Sequence, residues 1–207
     1  KLYARLICLA IFYNMNKYMI FQQLFDEKSS TYTYVISSGE GREALIIDPV
    51  IEHTEKYIKI LENLKLKLVK VIDTHIHADH ITALNELNKR TNCARVMGEN
   101  SKSEVIDLKI KDDEKVKIEN IELKAMYTPG HTDCSYSYLM NDRVFTGDTL
   151  LINGTGRTDF QNGSSYDAYE SLFNKLLKLP EKTLVYPAHD YNGKKFSTIE
   201  NEKNNNP

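Results

Sequence analysis

Apolar and polar positions recur along this chain with two different periods, and those periods divide it into strands and helices. Thr31–Ser37 (TYTYVIS) is rich in β-branched and aromatic residues and predicts a strand. Ala44–Asp48 (ALIID) predicts a second, stopped by Pro49. Over Thr54–Leu64 the apolar residues Tyr57, Ile58, Leu61 and Leu64 fall near helical spacing. Leu68–Thr74 (LVKVIDT) reads as a strand running into the first of several histidines. Ala78–Arg90 predicts a helix, with Asp79 placed to cap its start. Ala94–Met97 is a short strand. Lys115–Ile118 and Ile121–Tyr127 predict a hairpin around Glu119-Asn120. Ser135–Leu139 and Val144–Thr146 predict another, turning at Asn141-Asp142. Tyr166–Leu179 predicts a helix closed by Pro180, and Thr183–Tyr186 a last core strand before Pro187. Hairpins before and after central helices imply a β-rich α/β (α+β) domain rather than a pure βαβ array.

The ends differ from this middle. Leu2–Tyr13 (LYARLICLAIFY) is apolar with only Arg5 charged. It is shorter than the roughly 20 apolar residues a membrane span needs. It reads either as the remnant of a targeting segment or as an extension packed on the domain or preceding Met15 or Met19. Asn201–Pro207 (NEKNNNP) is polar and is expected to be frayed or linker-like. The expected division is residues 1–20 as targeting remnant or extension, 21–200 as the domain, and 201–207 as the tail.

Composition narrows the function. The 207 residues suffice for one domain with a substantial core, or at most two small ones. The formal net charge is −2, so the strong basic excess of a nucleic-acid surface is missing. The cysteines, Cys8, Cys93 and Cys134, are odd in number and scattered, which points to a reducing compartment rather than a disulfide framework. No CxxC pair announces a structural zinc ribbon.

The candidate chemistry lies in short polar stretches that each follow a predicted strand. THIHADH carries His75, His77, Asp79 and His80. TPGHT carries His131, FTGD carries Asp148, and PAHDY carries His189. A divalent metal needs several imidazoles and carboxylates gathered at one point. In extended backbone alternate side chains share a side, so His75 and His77 can face one pocket. The following turn then carries Asp79 and His80 round to the other side. Gly130 and Gly147 give the backbone freedom to bring His131 and Asp148 inward. His53 belongs to no cluster and is read as an ordinary residue.

HxHxDH followed by GHT, TGD and a final AH resembles the metallo-β-lactamase superfamily over roughly Phe21–Lys203. That resemblance implies an αββα sandwich with its metal at one edge. HADHIT (77–82), GTGRTDFQNG (154–163), YPAHDYNG (186–193) and LIIDPV (45–50) are similar to the persulfide dioxygenase branch. The branch implies one Fe(II) on His75, His131 and Asp148, and oxidation of glutathione persulfide by O₂ to sulfite and glutathione. His77, Asp79, His80 and His189 are then supports around the iron. In dinuclear hydrolase branches their equivalents bind metal directly. Zinc suits the same ligand types. Arg157 is the candidate anchor for a glutathione carboxylate, against a structural salt bridge. Tyr191 is a candidate hydrogen-bond donor to that ligand, against simple packing. Asp159 and Asp190 are expected to orient neighbours. Thr155 and Asn192 depart from the Cys and His of the animal members, which bears on substrate preference rather than on the metal. The branch also implies a homodimer and a mitochondrial or other organellar location, with the cytosol as the alternative. No nucleic-acid or membrane partner is expected.

The main rival is a glyoxalase II, in which metal-bound hydroxide attacks an acylglutathione thioester. That family follows its metal domain with a helical glutathione-binding domain, whereas 18 residues follow His189 here. A non-enzymatic carrier of the same fold is expected to have lost ligands, and all seven are present. A nuclease lacks its basic surface, and a β-lactamase is not favoured by RTDF or HDYNG.

Overall fold

A computed structural model describes residues 19–207, so the readings placed on Leu2–Tyr13 and Cys8 lie outside the described residues. Two six-stranded sheets face each other. The first contains β1 (Ile20–Asp26), β2 (Thr31–Ser37), β3 (Glu43–Ile47), β4 (Lys67–Ile72), β5 (Ala94–Gly98) and β6 (Leu108–Ile110), in that spatial order. The second contains β7 (Lys115–Ile118), β8 (Ile121–Tyr127), β9 (Tyr136–Met140), β10 (Arg143–Gly147), β11 (Leu184–Pro187) and β12 (Ser197–Thr198), also as neighbours in chain order. Helices α1 (Thr54–Asn63) and α2 (Leu84–Thr91) belong to the first half. The helical run that opens with α3 (Ser165–Glu170), together with α4 (Ile199–Asn205), belongs to the second.

The period-2 pattern decides which side chains meet. On β3, Leu45 and Ile47 point into the layer between the sheets, while Ala44 and Ile46 point outward to Tyr57 and Leu61 of α1 and Leu84 and Leu87 of α2. On β10 and β11, Phe145 and Tyr186 point inward, while Val144 and Val185 pack outward with Leu176 and Ile199. These three strands are therefore apolar on both faces, as strands covered on both sides must be. The result is an αββα sandwich.

Several elements match the sequence expectations closely. β2, β7 and β8 have the expected limits, and Arg143 pairs with Met140 around the two-residue turn Asn141-Asp142. Other expectations need correction. Residues 78–83 are not helical, and α2 begins at Leu84 with no side-chain cap at Ala83, so Asp79 caps nothing. Its carboxylate is taken by two histidines, which outbid a helix N-terminus. The expected Tyr166–Leu179 helix is continuous but uneven. After α3 it widens to a π-type turn over Ser171–Lys175 and tightens to a 3₁₀ turn over Leu176–Lys178. The tail is not frayed: α4 runs through Asn205, with Ile199 and Glu202 buried. Its polar composition hid one apolar anchor and a capping hydroxyl, Thr198 Oγ1, which accepts from Asn201 N–H. β1, β6 and β12 were not anticipated. β1 is half-buried and carries Gln22 and Gln23 in its middle, and β6 and β12 have only three and two residues. Among the described residues no helix is long and apolar enough to cross a membrane.

Candidate metal centre

The strands deliver their chemistry to one edge of the sandwich. β4 ends at Ile72 and its chain continues through Asp73 and Thr74 to His75. β10 ends at Gly147, immediately before Asp148, and β11 ends at Pro187, two residues before His189. His131 sits in the loop between β8 and β9. The Tyr136 N–H donates to Thr74 O at 2.9 Å and so ties the two sheets together there. Gly130 and Gly147 have φ of +142° and +54°, the region that favours glycine. A Cβ on Gly147 would stand 2.7 Å from Thr74 Oγ1, and one on Gly130 would stand 2.4 Å from the Ala168 backbone.

Ligand atoms of His75, His131 and Asp148 all lie within 4.8 Å of one another. Asp148 Oδ2 stands 3.7 Å from His75 Nε2 and 3.6 Å from His131 Nε2. Ligand atoms sharing one ion at about 2.1 Å stand about 3.0–3.6 Å apart, so the two separations from Asp148 Oδ2 lie at the upper edge of that range.

Hydrogen bonds set the tautomers. Thr74 Oγ1 donates its only proton to Asp48 Oδ2 at 3.0 Å and therefore accepts from His75 Nδ1, also at 3.0 Å. His75 Nε2 is left with its lone pair, and it is one of four buried side-chain polar atoms without a partner among the described residues. Burial first, and the neighbouring His77 second, push the His75 imidazole down to about 3, so it stays neutral. His131 Nδ1 donates to Arg157 O at 2.8 Å, which again leaves Nε2 facing Asp148. This is how metal-binding imidazoles are oriented from behind. Buried nitrogens with free lone pairs, gathered around a carboxylate, fit a divalent cation.

His189 is arranged differently. Nδ1 contacts Asp148 Oδ1 at 2.6 Å, and Nε2 contacts Asp79 Oδ2 at 2.8 Å and Thr31 Oγ1 at 3.0 Å. Carboxylates only accept, so both ring nitrogens donate. Burial opposes the charge on His189, but the bonds and charges of Asp148 and Asp79 outweigh it and lift the imidazole to about 10. Burial likewise opposes charge on Asp148, and His189, His75 and His131 together hold its carboxyl well below the usual range.

His77 and His80 complete the cluster. The His75 and His77 rings lie 4.1 Å apart, and those of His77 and His80 lie 4.3 Å apart. His77 Nε2 contacts Asp48 Oδ1 at 3.2 Å, and His80 Nδ1 contacts Asp79 Oδ2 at 2.9 Å. His77 Nδ1 and His80 Nε2 are buried and unpartnered. His77, Asp79 and His80 form a second compact group, but His77 stands outside the group of His75, His131 and Asp148.

Arg157 is exposed and paired with Asp159 at 2.7 and 3.0 Å, and its guanidinium lies 5.6 Å from the centre of the Phe160 ring. Its carbonyl, rather than its charge, touches the metal centre. Tyr191 is 73% exposed, with its ring parallel to that of His189 at 6.2 Å. Asp190 orients its own loop by accepting from the N–H groups of Asn192 and Lys194.

Sequence reasoning missed Asp48, Asp73, Thr31 and Gly156. Asp48 is buried with φ +50°, supports Thr74 and His77 at once, and groups with Asp73 and His77. An acid ending a strand just before Pro49, level with the histidine strand, was the available signal. Nothing local distinguishes Gly156.

This edge site on an αββα sandwich defines a class, and the comparison with known families agrees. The family model described as Metallo-beta-lactamase superfamily matches residues 27–189, and the chain belongs to that superfamily and, within it, to the persulfide dioxygenase family. It is 40% identical over 192 residues to the persulfide dioxygenase ETHE1, mitochondrial, of Mus musculus, covering 91% of this chain and 75% of that protein. The crystal structure of ETHE1 from Myxococcus xanthus superposes with a TM-score of 0.89 at 47% identity, covering 91% of this chain and 84% of that one. A hydroxyacylglutathione hydrolase of Dictyostelium discoideum is 32% identical, covering 84% of this chain and 68% of that protein.

Proposed function

We propose that this chain is a non-haem iron enzyme that oxidises glutathione persulfide with O₂ to sulfite and glutathione. The balanced reaction is GSSH + O₂ + H₂O → GSH + SO₃²⁻ + 2H⁺. The observation that carries the reading is the gathering of His75, His131 and Asp148 as one two-histidine, one-carboxylate group. Two imidazoles and a carboxylate on one face of Fe(II) leave positions open for O₂ and a substrate sulfur.

The chain's own residues prepare this state. Asp48 through Thr74 holds His75 in the tautomer that presents Nε2, and Arg157 O does the same for His131. His189 holds Asp148 Oδ1, which leaves Oδ2 as the oxygen nearest both imidazoles. With both nitrogens donating to carboxylates, His189 supplies a fixed positive charge between Asp148 and Asp79. In the proposed complex Arg157 exchanges Asp159 for a glutathione carboxylate, and Tyr191 donates to the same ligand. An organellar location, in keeping with the word mitochondrial in the name of the mouse relative, is part of the same proposal, and so, separately, is a homodimer.

A second reading rests on His77 Nδ1 and His80 Nε2, which would serve a dinuclear thioester hydrolase. One experiment separates the two. The protein is purified anaerobically, iron and zinc are measured per chain, and O₂ uptake with glutathione persulfide is compared with cleavage of an acylglutathione thioester. One iron with rapid uptake is expected. Two metals with thioester cleavage and no uptake would replace the proposal with the hydrolase.

A further inference from the structure

Glu202, in the helix formed by the polar tail, is 2% exposed. Among the described residues no cation pairs with it, and its neighbour Lys203 turns to Glu181 instead. Four neutral donors satisfy the carboxylate. Ser197 Oγ and Asn201 Nδ2 (3.0 Å) donate to Oε1, and Asn153 N–H (2.9 Å) and Asn206 Nδ2 (2.8 Å) donate to Oε2. A buried charge held this way is rigid, because losing any one donor exposes its desolvation cost.

The bond to Asn153 leaves the helix and reaches 49 residues back along the chain. Two more bonds follow the same route: Asn201 Nδ2 donates to Asn153 Oδ1 at 3.1 Å, and Asn206 Nδ2 to Gly154 O at 3.0 Å. α4 thus grips the Asn153-Gly154 turn, where Asn153 holds a left-handed φ of +56°. That turn is the midpoint of the segment Asp148–Arg157. The segment starts with the carboxylate of the metal centre and ends with the carbonyl that orients His131. Between turn and end, the Gly156 N–H donates back to Asp148 O at 2.8 Å. The segment is a short closed loop with both functional ends at the metal site and its far end clamped by the C-terminal helix.

We infer that Glu202 is a positioning residue for the metal centre. By fixing the Asn153-Gly154 turn it sets where the Arg157 carbonyl, and therefore the His131 ring, stands relative to Asp148. The inference rests on the metal-centre reading above, and its test separates the two.

The test uses the full chain stripped of metal, with Zn²⁺ and Fe²⁺ affinities read by competition against a chromogenic chelator. In Glu202→Gln the amide nitrogen cannot accept, so one side of the clamp opens while size is kept. Removing an outer partner of a ligand costs about 10–100-fold in affinity. Glu202 acts one bond further out, and a loss of about 5–10-fold is expected. Asn206→Ala, which opens the same clamp from a half-buried position, is expected to lose about 2–5-fold and serves if Glu202→Gln does not fold. Ile199→Val is the control: it loosens the packing of the same helix and touches none of these bonds. Its metal affinity should match wild type at whatever melting temperature it shows. Affinity in Glu202→Gln and Asn206→Ala equal to wild type, with His131→Ala strongly weakened, overturns the inference and leaves the metal centre standing. Affinity that merely tracks melting temperature through all three helix variants also overturns it. Wild type and His131→Ala binding metal equally weakly would overturn the metal-centre reading instead.

Discussion

Gly156→Ala tests the packing of the metal centre most sharply, because the structure states what one methyl group would meet. A Cβ at Gly156 would stand 2.1 Å from Asp148 O and 2.9 Å from His131 Nδ1. Ordinary non-bonded carbon contacts lie at about 3.5–4 Å, so the loop must retreat by more than about 1 Å. The first neighbour is backbone, which cannot swing aside as a side chain would. Retreat breaks the 2.8 Å bond from Gly156 N–H to Asp148 O and draws Arg157 O away from His131. Overpacking costs about 1–3 kcal/mol and the lost hydrogen bond about 1 kcal/mol more. The expected sum of about 3 kcal/mol corresponds to a fall in Tm of about 6–12 °C for a domain of this size. A displacement of about 1 Å at a reacting centre costs about 100-fold in kcat/KM. Gly154→Ala supplies the comparison two residues away in the same loop. Nothing lies within 4 Å of its added Cβ, so its stability should stay within about 0.5 kcal/mol of wild type. Thermal unfolding, metal content per chain and O₂ uptake are measured on both variants. Near-native Tm and turnover in Gly156→Ala would refute the reasoning, and so would equal damage from Gly154→Ala.

The remaining predictions concern the core, the surface and the ion. Tyr138 is fully buried and its hydroxyl has no partner, so Tyr138→Phe should leave stability unchanged or raise it by up to about 1 kcal/mol in urea unfolding; a loss above that would reveal a partner for the hydroxyl. The Arg95 guanidinium and N–H hold the Asp107 carboxyl at about 2. A depressed carboxylate stabilises the fold above its unfolded value near 3.9 and loses that contribution as pH falls through about 2. Asp107→Asn should therefore flatten the stability profile between those pH values by less than about 1 kcal/mol, because the pair faces solvent, and an unchanged profile would show that the pair contributes nothing. Metal held only by the folded state adds about 2.7 kcal/mol at 100-fold excess over Kd, so a chelator should lower Tm by about 5–10 °C, and His131→Ala should abolish that chelator-dependent shift. A chelator-insensitive wild type would contradict the proposed ion site.

The candidate site was legible to the extent that it consists of local chemistry following local strands. His75, His131, Asp148, His77, Asp79, His80 and His189 were each visible as a metal-type side chain after an alternating or apolar run, and all seven meet at one edge. The parts that were not legible are contacts across long stretches of sequence. Asp48 supports His75 through Thr74 from a strand 26 residues away, and that support is a property of sheet pairing. Asp79 fitted a helix-cap pattern, yet its partners His80 and His189 include one 110 residues distant. The expected role of Arg157 as a charge beside the site concerned its side chain, and its carbonyl went unnoticed because every residue has one.

By itself the sequence determined the strand and helix periods, the two hairpins and the kinds of ligand offered to a metal. These follow from side-chain chemistry and the spacing of neighbouring residues, which the linear order contains. Only the tertiary structure decided which nitrogen of each histidine is free, why Gly156 has no room for a side chain, and that the polar tail folds back to clamp the loop behind His131. Those outcomes depend on hydrogen-bond geometry and excluded volume between segments far apart in the chain, and no local pattern encodes a distance in space.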